Sequence, residues 1–386
     1  MILILFFSIF VSGCIKDNAN QKASFTFIEE IENSLALGEK WIVKNLNDAG
    51  YFNYYYNVTS GFYSSSNNMI RQFMASRYLA EMSQGNNTLQ SLHQKNLDYI
   101  FNNWYRENGD IGYIYFDSKS KLGAMAMMLR TLVYSPFFDN YIKEAYKLVN
   151  CLLYLQNPDG SFNAWYIEPG YSYNEAYLLK FYSGEVILSL IEFYEKTGNV
   201  TVLNHAIFSQ DFYIEEYVNN MSRNYYPAYV PWHTQSLNKI YLITGEKKYA
   251  DAIFTLNDEL LKIQDTENNV TLGRFFNYSF RNYGKPHSSS DGVYTEGIAY
   301  AYEIALIIDD EQHIDKYKEA IKLGARNLIK LQYNESESQR YNYPERLVGA
   351  IRINNSKTPD ISRFNIRIDT TQHAMDGFRK IINIYE

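Results

Sequence analysis

Apolar residues recur at helical spacing along most of the chain, in two kinds of stretch that alternate. The first kind carries charges on one face and ends in a polar turn, a glycine and an aromatic or aliphatic residue, as in KEAYKLVNCLLYLQNPDGSF (143–162). The second kind is apolar on more than one face and richer in small residues, as in SGEVILSLIEFYEKTG (183–198). A one-sided helix lies at a surface and an all-round apolar helix is buried. The pattern therefore predicts outer helices that alternate with inner ones.

Each kind of stretch occurs six times, and strand patterns are almost absent. The turn-ending outer stretches are 41–52, 99–114, 151–162, 260–276 and 328–353, with a weaker copy at 213–230. The inner stretches are 69–82, 122–134, 183–198, 232–245, 295–308 and 370–382. Strict alternation predicts an all-α fold, an (α/α)6 toroid of six outer and six inner helices around one axis. An irregular two-domain helical protein is the alternative.

The first 14 residues, MILILFFSIFVSGC, form a segment of their own. The apolar run is too short to cross a hydrocarbon core of about 30 Å. Residues 11–14 (VSGC) resemble the lipobox of secreted lipoproteins, although no Lys or Arg precedes the run. This resemblance implies a signal peptide over 1–13 and a lipidated Cys14 with a tether over 14–24. It also implies a protein anchored by lipid to the cell membrane, facing outside the cytoplasm. The alternating helices then form one toroid domain over 25–386. The alternative is a conventional signal peptide or short anchor with a fortuitous cysteine.

Composition and charge argue against several classes of partner and cofactor. A net charge of −7 and the lack of a basic run argue against nucleic-acid binding. The 37 Tyr and 23 Phe suit a cleft that is both apolar and hydrogen-bonding, or reflect a biased genome. Without a Cys cluster, a His-x-x-x-His pair or a Gly-rich phosphate loop, we expect no metal and no nucleotide cofactor. Cys151 lies in an apolar stretch and is predicted to be a core residue.

Ionisable residues stand at or near the predicted start of every inner helix. In a toroid these helix starts gather at one end, so we expect the side chains to converge on one cleft. They are Arg71, Lys119, Lys121, Glu185, His233, Glu296, Asp369 and His373. Structural roles remain open for several: a carboxylate in a first turn stabilises the helix dipole, and Asp369 with Gln372 fits a capping pattern.

Carboxylates and histidines in one cleft predict acid–base chemistry, and aromatic rings there suit a sugar. We expect proton transfer by His233, Glu296 and His373, supported by Glu185 and Asp369. Arg71 or Arg367 would hold an acidic group. The aromatic candidates for stacking on sugar rings, or for plugging the mouth of the barrel, are Trp165, Tyr229, Trp232 and Tyr294.

Short motifs add a family resemblance to this architecture. The turn QNPDGSF (156–162), the phrase TGEKKYADAI (244–253) and the helix YSGEVILSLIEFYEKTGN (182–199) resemble the six-hairpin α/α-barrel superfamily. It includes glucuronyl C5-epimerases, N-acylglucosamine 2-epimerases and unsaturated glucuronyl hydrolases. The resemblance implies a carbohydrate substrate and an epimerase, hydrolase or lyase activity. A non-catalytic glycan-binding or assembly lipoprotein and a structural toroid for protein contact are the alternatives.

Overall fold

The computed structural model describes residues 18–280, 284–354 and 361–385. The predicted signal peptide and Cys14 therefore lie outside the described residues. Within the described part, no helix is both long and apolar enough to span a membrane.

The described elements are mostly helices joined by loops with short strands. The helices are α1 (Asn18–Asn45), α2 (Met69–Met82), α3 (Asn87–Asn103), α4 (Leu122–Val133), α5 (Ile142–Tyr154), α6 (Glu175–Thr197), α7 (Val200–Ile214), α8 (Met221–Asn224), α9 (Val230–Thr244), α10 (Lys247–Leu261), α11 (Ser288–Ile307), α12 (Glu311–Leu331), α13 (Glu335–Ser338) and α14 (Ile368–Tyr385). The strands are β1 (Tyr55–Asn57), β2 (Phe62–Tyr63), β3 (Tyr105–Asn108), β4 (Ile111–Ile114), β5 (Ser120–Lys121), β6 (Trp165–Ile167) and β7 (Ile366–Arg367). They pair antiparallel in the orders β2-β1-β7, β3-β4 and β5-β6.

Six helices form a closed inner ring. In ring order they are α2, α4, α6, α9, α11 and α14, and α14 packs back on α2. The outer helices α3, α5, α7, α10, α12 and α1 pack on α2, α4, α6, α9, α11 and α14, respectively. The predicted toroid of six outer and six inner helices is confirmed, with α8 and α13 as single turns within loops.

The difference between inner and outer helices follows from burial. Every residue of α4 is buried, which matches its almost entirely apolar sequence LGAMAMMLRTLV. On α12 only one stripe is buried, including Tyr317, Ile321 and Leu328, and the lysines and glutamates lie on the other side. Cys151 is fully buried in α5, as its sequence context predicts.

Glycines in the turns after four outer helices allow each turn to pack closely against another outer helix. Gly50, Gly160, Gly273 and Gly349 all have positive φ, and a Cβ added at each would meet a backbone oxygen of α3, α7, α12 and α1, respectively. At Gly349 (φ +94°) the added Cβ would lie 2.1 Å from the carbonyl oxygen of Leu37. Glycine is therefore required there both by backbone conformation and by space.

We expect Gly349→Ala to lower the free energy of unfolding by roughly 2–5 kcal/mol, because left-handed strain and overpacking add. Gly85→Ala is the matched control, since Gly85 also has positive φ (+72°) but no atom within 4 Å of the added Cβ. Its cost should be about 1–2 kcal/mol, from backbone strain alone. Urea unfolding followed by circular dichroism measures both. Equal costs would contradict the packing role of Gly349.

Candidate functional site

A cavity of about 260 Å³ lies at the end of the toroid where the six inner helices begin. Every inner helix contributes to its wall, α4 through its N-cap residue Lys121. The structure thus brings together much of what the sequence pattern placed there. The predicted site residues that line the cavity are Arg71, Glu185, Trp232, Tyr294, Asp369 and His373.

The other five predicted site residues lie outside this wall. Trp165 is buried on β6 with the Lys121 ammonium 6.0 Å from its ring centre. Tyr229 is fully buried and stacks on Tyr217 at 4.0 Å between ring centroids. Arg367 reaches the site only through Asp369. His233 and Glu296, the remaining two, were predicted to transfer protons.

His233 is turned away from the cavity, toward α6 and α7. Its Nε2 lies 3.0 Å from the Ser183 hydroxyl, and its Nδ1 lies 3.2 Å from the side-chain amide of Gln210. Burial lowers the pKa of His233 to about 3, so the ring is neutral. With both ring nitrogens engaged in hydrogen bonds inside the protein, this arrangement is that of a structural histidine.

Glu296 lies deeper than the cavity because α11 begins seven residues earlier than the sequence pattern suggested. The helix starts at Ser288, which moves Glu296 from the first turn to the third. Its carboxyl group lies within 4.8 Å of a ring nitrogen of His373 and of the Asp376 carboxyl group. Burial and the Asp376 charge raise the pKa of Glu296 well above its usual value.

Glu296, His373 and Asp376 are a group whose donor atoms are close enough to hold a metal ion. However, the guanidinium of Arg77 and the amide of Gln372 already donate to Asp376. The Asp376 carboxyl group is therefore already paired with a cation of the protein itself, and we assign no metal to the group.

Asp369, at the start of α14, is held by two arginines. Arg71 Nε donates to it at 2.9 Å, and Arg367 donates through two nitrogens at 2.5 and 2.6 Å. The Ser289 hydroxyl donates at 3.0 Å. Burial alone would raise the pKa of Asp369, but the two guanidinium groups lower it well below its usual value. Asp369 is thus a charged anchor that positions Arg71 at the cavity.

Glu185 is the carboxyl group in the cavity wall that lacks such a partner. It comes from α6, is almost fully buried, and its Oε2 has no hydrogen-bond partner. The absence of a side chain at Gly123 makes room for it, since a Cβ there would lie 2.4 Å from that oxygen. Burial raises the pKa of Glu185 to about 8, although Arg130, Arg71 and Lys121 oppose the shift. Glu185 is therefore protonated at neutral pH.

His373 faces the cavity from α14. It lies beside Trp232, with 5.9 Å between ring centroids, and its Nδ1 is buried without a hydrogen-bond partner. Burial lowers the pKa of His373 to about 4, so the ring is neutral at pH 7. In the ring order α2, α4, α6, α9, α11, α14, the helices of Glu185 and His373 stand opposite each other. The cavity therefore has a protonated acid on one side and a neutral base on the other.

Three aromatic rings of the wall were missed because α6 also begins early. The pattern started this helix at residue 183, whereas the structure starts it at Glu175. The two additional turns carry Tyr177, Phe181 and Tyr182 to the cavity. A signal was present: Asn174 caps the helix, its side chain accepting from Tyr177 N, and Asn at such a position is a typical helix start.

Comparisons with known proteins find similar structures but no similar sequences. No protein-family model matches the chain, and no curated protein is significantly similar to it. A sugar epimerase from a ruminal bacterium has a TM-score of 0.69 at 13% identity, covering 91% of this chain and 98% of that chain. An unsaturated glucuronyl hydrolase from Streptococcus agalactiae has a TM-score of 0.64 at 14% identity (93% and 92% covered). An α-1,6-mannanase of a Salegentibacter species has a TM-score of 0.63 at 12% identity, covering 93% of this chain and 99% of that chain. These structures share the predicted α/α-toroid fold with this chain.

Proposed function

We propose that this protein is a carbohydrate-active enzyme that moves a proton at a sugar carbon next to a carbonyl group, as an epimerase or isomerase. One observation carries the proposal. A neutral histidine (His373) and a protonated carboxyl group (Glu185), each with an unpartnered buried atom, line one cavity from opposite inner helices. A base and an acid placed in this way are what proton removal and return at one carbon require.

The reaction follows from these two groups. His373 takes the proton from the carbon, and the electron pair of the broken C–H bond moves toward the carbonyl oxygen. Glu185 then gives its proton to the other face of the same carbon, which inverts it. Solvent exchange returns both groups to their starting states. Arg71 and Lys121, which also line the cavity, stabilise the negative charge that develops on the oxygen.

Two further features support a sugar as the substrate. The cavity wall contains Tyr177, Phe181, Tyr182, Trp232 and Tyr294, whose flat faces suit the C–H faces of sugar rings. Proteins with the same fold include a sugar epimerase and a D-mannose isomerase, both matched over more than nine-tenths of their chains.

The direct test is isotope exchange. The protein is incubated in D₂O with a panel of aldoses, ketoses and uronates, and deuterium at the carbon beside the carbonyl group is followed by NMR. We expect exchange and the appearance of an epimer or isomer with at least one member of the panel. A bound sugar that takes up no deuterium would refute the proposal and favour a glycan-binding protein.

Glycoside hydrolysis is the second candidate, because Glu185 and the ionised Asp369 both line the cavity. An acid and an ionised carboxylate are the pair that glycosidases use. However, Asp369 is engaged by Arg71, Arg367 and Ser289, which makes it a weak base. Release of reducing sugar without deuterium exchange would favour this candidate over the first.

We also propose that the protein is a lipoprotein outside the cytoplasm, anchored through Cys14, as the VSGC sequence indicates. The toroid is compatible with such an anchor. The ring of Phe27 in α1 packs on Tyr385 at the far end of α14, so the chain enters the toroid opposite the cavity. Leu242 and Ile307, at the ends of α9 and α11 on that side, are 54% and 52% exposed.

An anchored protein would thus present its cavity away from the membrane. We expect wild-type protein in the membrane fraction and incorporation of labelled palmitate, both lost in Cys14→Ala. Labelling that persists in Cys14→Ala would contradict the lipobox interpretation.

A further inference from the structure

A second cavity adjoins the first on the side of α2 and α4. It has a volume of about 130 Å³, and its wall includes Ile114, Phe116, Lys119 and Tyr171. Asn68 and Lys121 line both cavities and therefore mark their junction. Small-molecule sites usually measure about 300–1,000 Å³. The first cavity suits a single sugar unit, and the two together suit a ligand of more than one unit.

The charges at this junction do not balance. Arg71 and Arg367 share the single Asp369 carboxylate, and the exposed Asp117 carboxylate pairs with Lys119. Glu185 is protonated at neutral pH and contributes no charge. Lys121 is a further cation. Among the described residues its ammonium group forms no ion pair or hydrogen bond, and it lies 6.0 Å from the ring centre of Trp165. A largely buried ammonium group without a counter-charge is costly unless a ligand supplies one.

The helices add to this positive potential. Inner helices present their N-terminal ends to the first cavity, and such ends carry a partial positive charge. Lys121 is the N-cap residue of α4, at the rim where the two cavities meet. A neutral sugar would leave its ammonium group uncompensated, whereas an acidic sugar would pair with it.

We propose that the two cavities are consecutive subsites for an acidic disaccharide unit and that Lys121 binds the carboxylate of a uronic acid residue at their junction. This inference rests on the proposed function for the nature of the ligand as a sugar, but not for catalysis. The aromatic side chains Phe116 and Tyr171 in the second wall give the neighbouring sugar unit an apolar face to pack on.

The test measures binding in a background that cannot turn over the sugar. His373→Gln protein is titrated by calorimetry with cellobiouronic acid, its neutral counterpart cellobiose, digalacturonate and glucuronate. We expect the acidic disaccharides to bind at least tenfold more tightly than cellobiose and more tightly than glucuronate. Adding Lys121→Met should remove the preference for acid. Lys239→Met is the control, because Lys239 is paired with Glu195 and lines neither cavity, and the preference should persist.

The outcomes separate this inference from the proposed function. Acidic disaccharides that bind to the His373→Gln variant but show no deuterium exchange with the wild-type protein would support the subsites and refute the epimerase. Exchange with neutral monosaccharides, together with no binding of acidic disaccharides, would support the epimerase and refute the subsites. The inference is overturned if cellobiose binds as tightly as the acids, if Lys121→Met keeps the preference, or if no acidic disaccharide binds at millimolar concentration.

Discussion

Replacing His373 by glutamine should reduce the rate of deuterium exchange by roughly 10²–10⁴-fold while sugar binding is retained. The neutral imidazole is the group in the cavity wall that can accept a proton near neutral pH, since Asp369 is held by two arginines and Glu185 is already protonated. Glutamine keeps a similar volume and hydrogen-bonding capacity but is not basic. The loss should therefore appear in kcat rather than in KM.

His233→Gln is the control for this experiment. His233 is a similarly buried histidine near the start of another inner helix, but its ring contacts Ser183 and Gln210 rather than the cavity. We expect lower stability and unchanged exchange by the folded protein. If His233→Gln lost exchange and His373→Gln kept it, the assignment of the base would be wrong and the cleft would have to be redefined around α9.

Replacing Glu185 by glutamine should have a double effect: loss of turnover and a gain in stability at alkaline pH. The folded protein holds the pKa of Glu185 at about 8, against an ordinary value of 4.5. Between these two values the native state keeps a proton that the unfolded state has released. The stabilising contribution is therefore complete below pH 4.5 and is lost as pH rises through 8.

The size of this effect follows from about 1.4 kcal/mol per pKa unit, which gives a ceiling of roughly 5 kcal/mol above pH 8. Glu185→Gln removes the penalty of ionising a buried, unpartnered carboxyl group, so its free energy of unfolding should exceed that of the wild type increasingly from pH 5 to pH 9. Denaturant unfolding at several pH values measures it. In the wild type, kcat/KM should fall above about pH 8 and below about pH 4, where Glu185 ionises and His373 becomes protonated.

Glu192 provides a control of opposite sign on the same helix. Burial opposes its ionisation, but Arg130 outweighs burial through two hydrogen bonds of 2.6 and 2.8 Å and lowers the pKa of Glu192. Glu192→Gln leaves the Arg130 charge buried and should destabilise the protein by roughly 3–5 kcal/mol at neutral pH. If both glutamine variants changed stability in the same direction, the assigned protonation state of Glu185 would be wrong.

The toroid could be predicted because each of its repeats has a recognisable local pattern of apolar and polar residues. One-sided and all-round apolar helices alternate six times, and burial alone assigns the two kinds to different layers. The turns were visible too, since glycines such as Gly160 and Gly349 are required by their positive φ. None of this depends on which atoms meet across the ring.

The starts of the inner helices were harder to place. The segment SSSDG (288–292) has the composition of a loop, yet it is the first turn of α11. The fully buried Asp291 explains this, because its carboxylate pairs with Arg274 and accepts from Phe275 N at 2.9 Å. A long-range ion pair therefore overrides local propensity, and it places Glu296 in the third turn of α11 rather than at the cavity.

The amino-acid sequence by itself determined the fold class and the end of the toroid where ionisable side chains gather, because both follow from spacing along helices. The tertiary structure decided which of those side chains face the cavity and which are charged. A place near the start of an inner helix does not by itself specify whether a side chain faces the cavity or a neighbouring helix, as His373 and His233 show. Nor does it specify the partner: Glu185 and Glu192 lie two turns apart on α6, but Glu185 lacks the Arg130 hydrogen bonds that keep Glu192 ionised. Protonation depends on desolvation and neighbouring charges, and these exist only once the ring has closed.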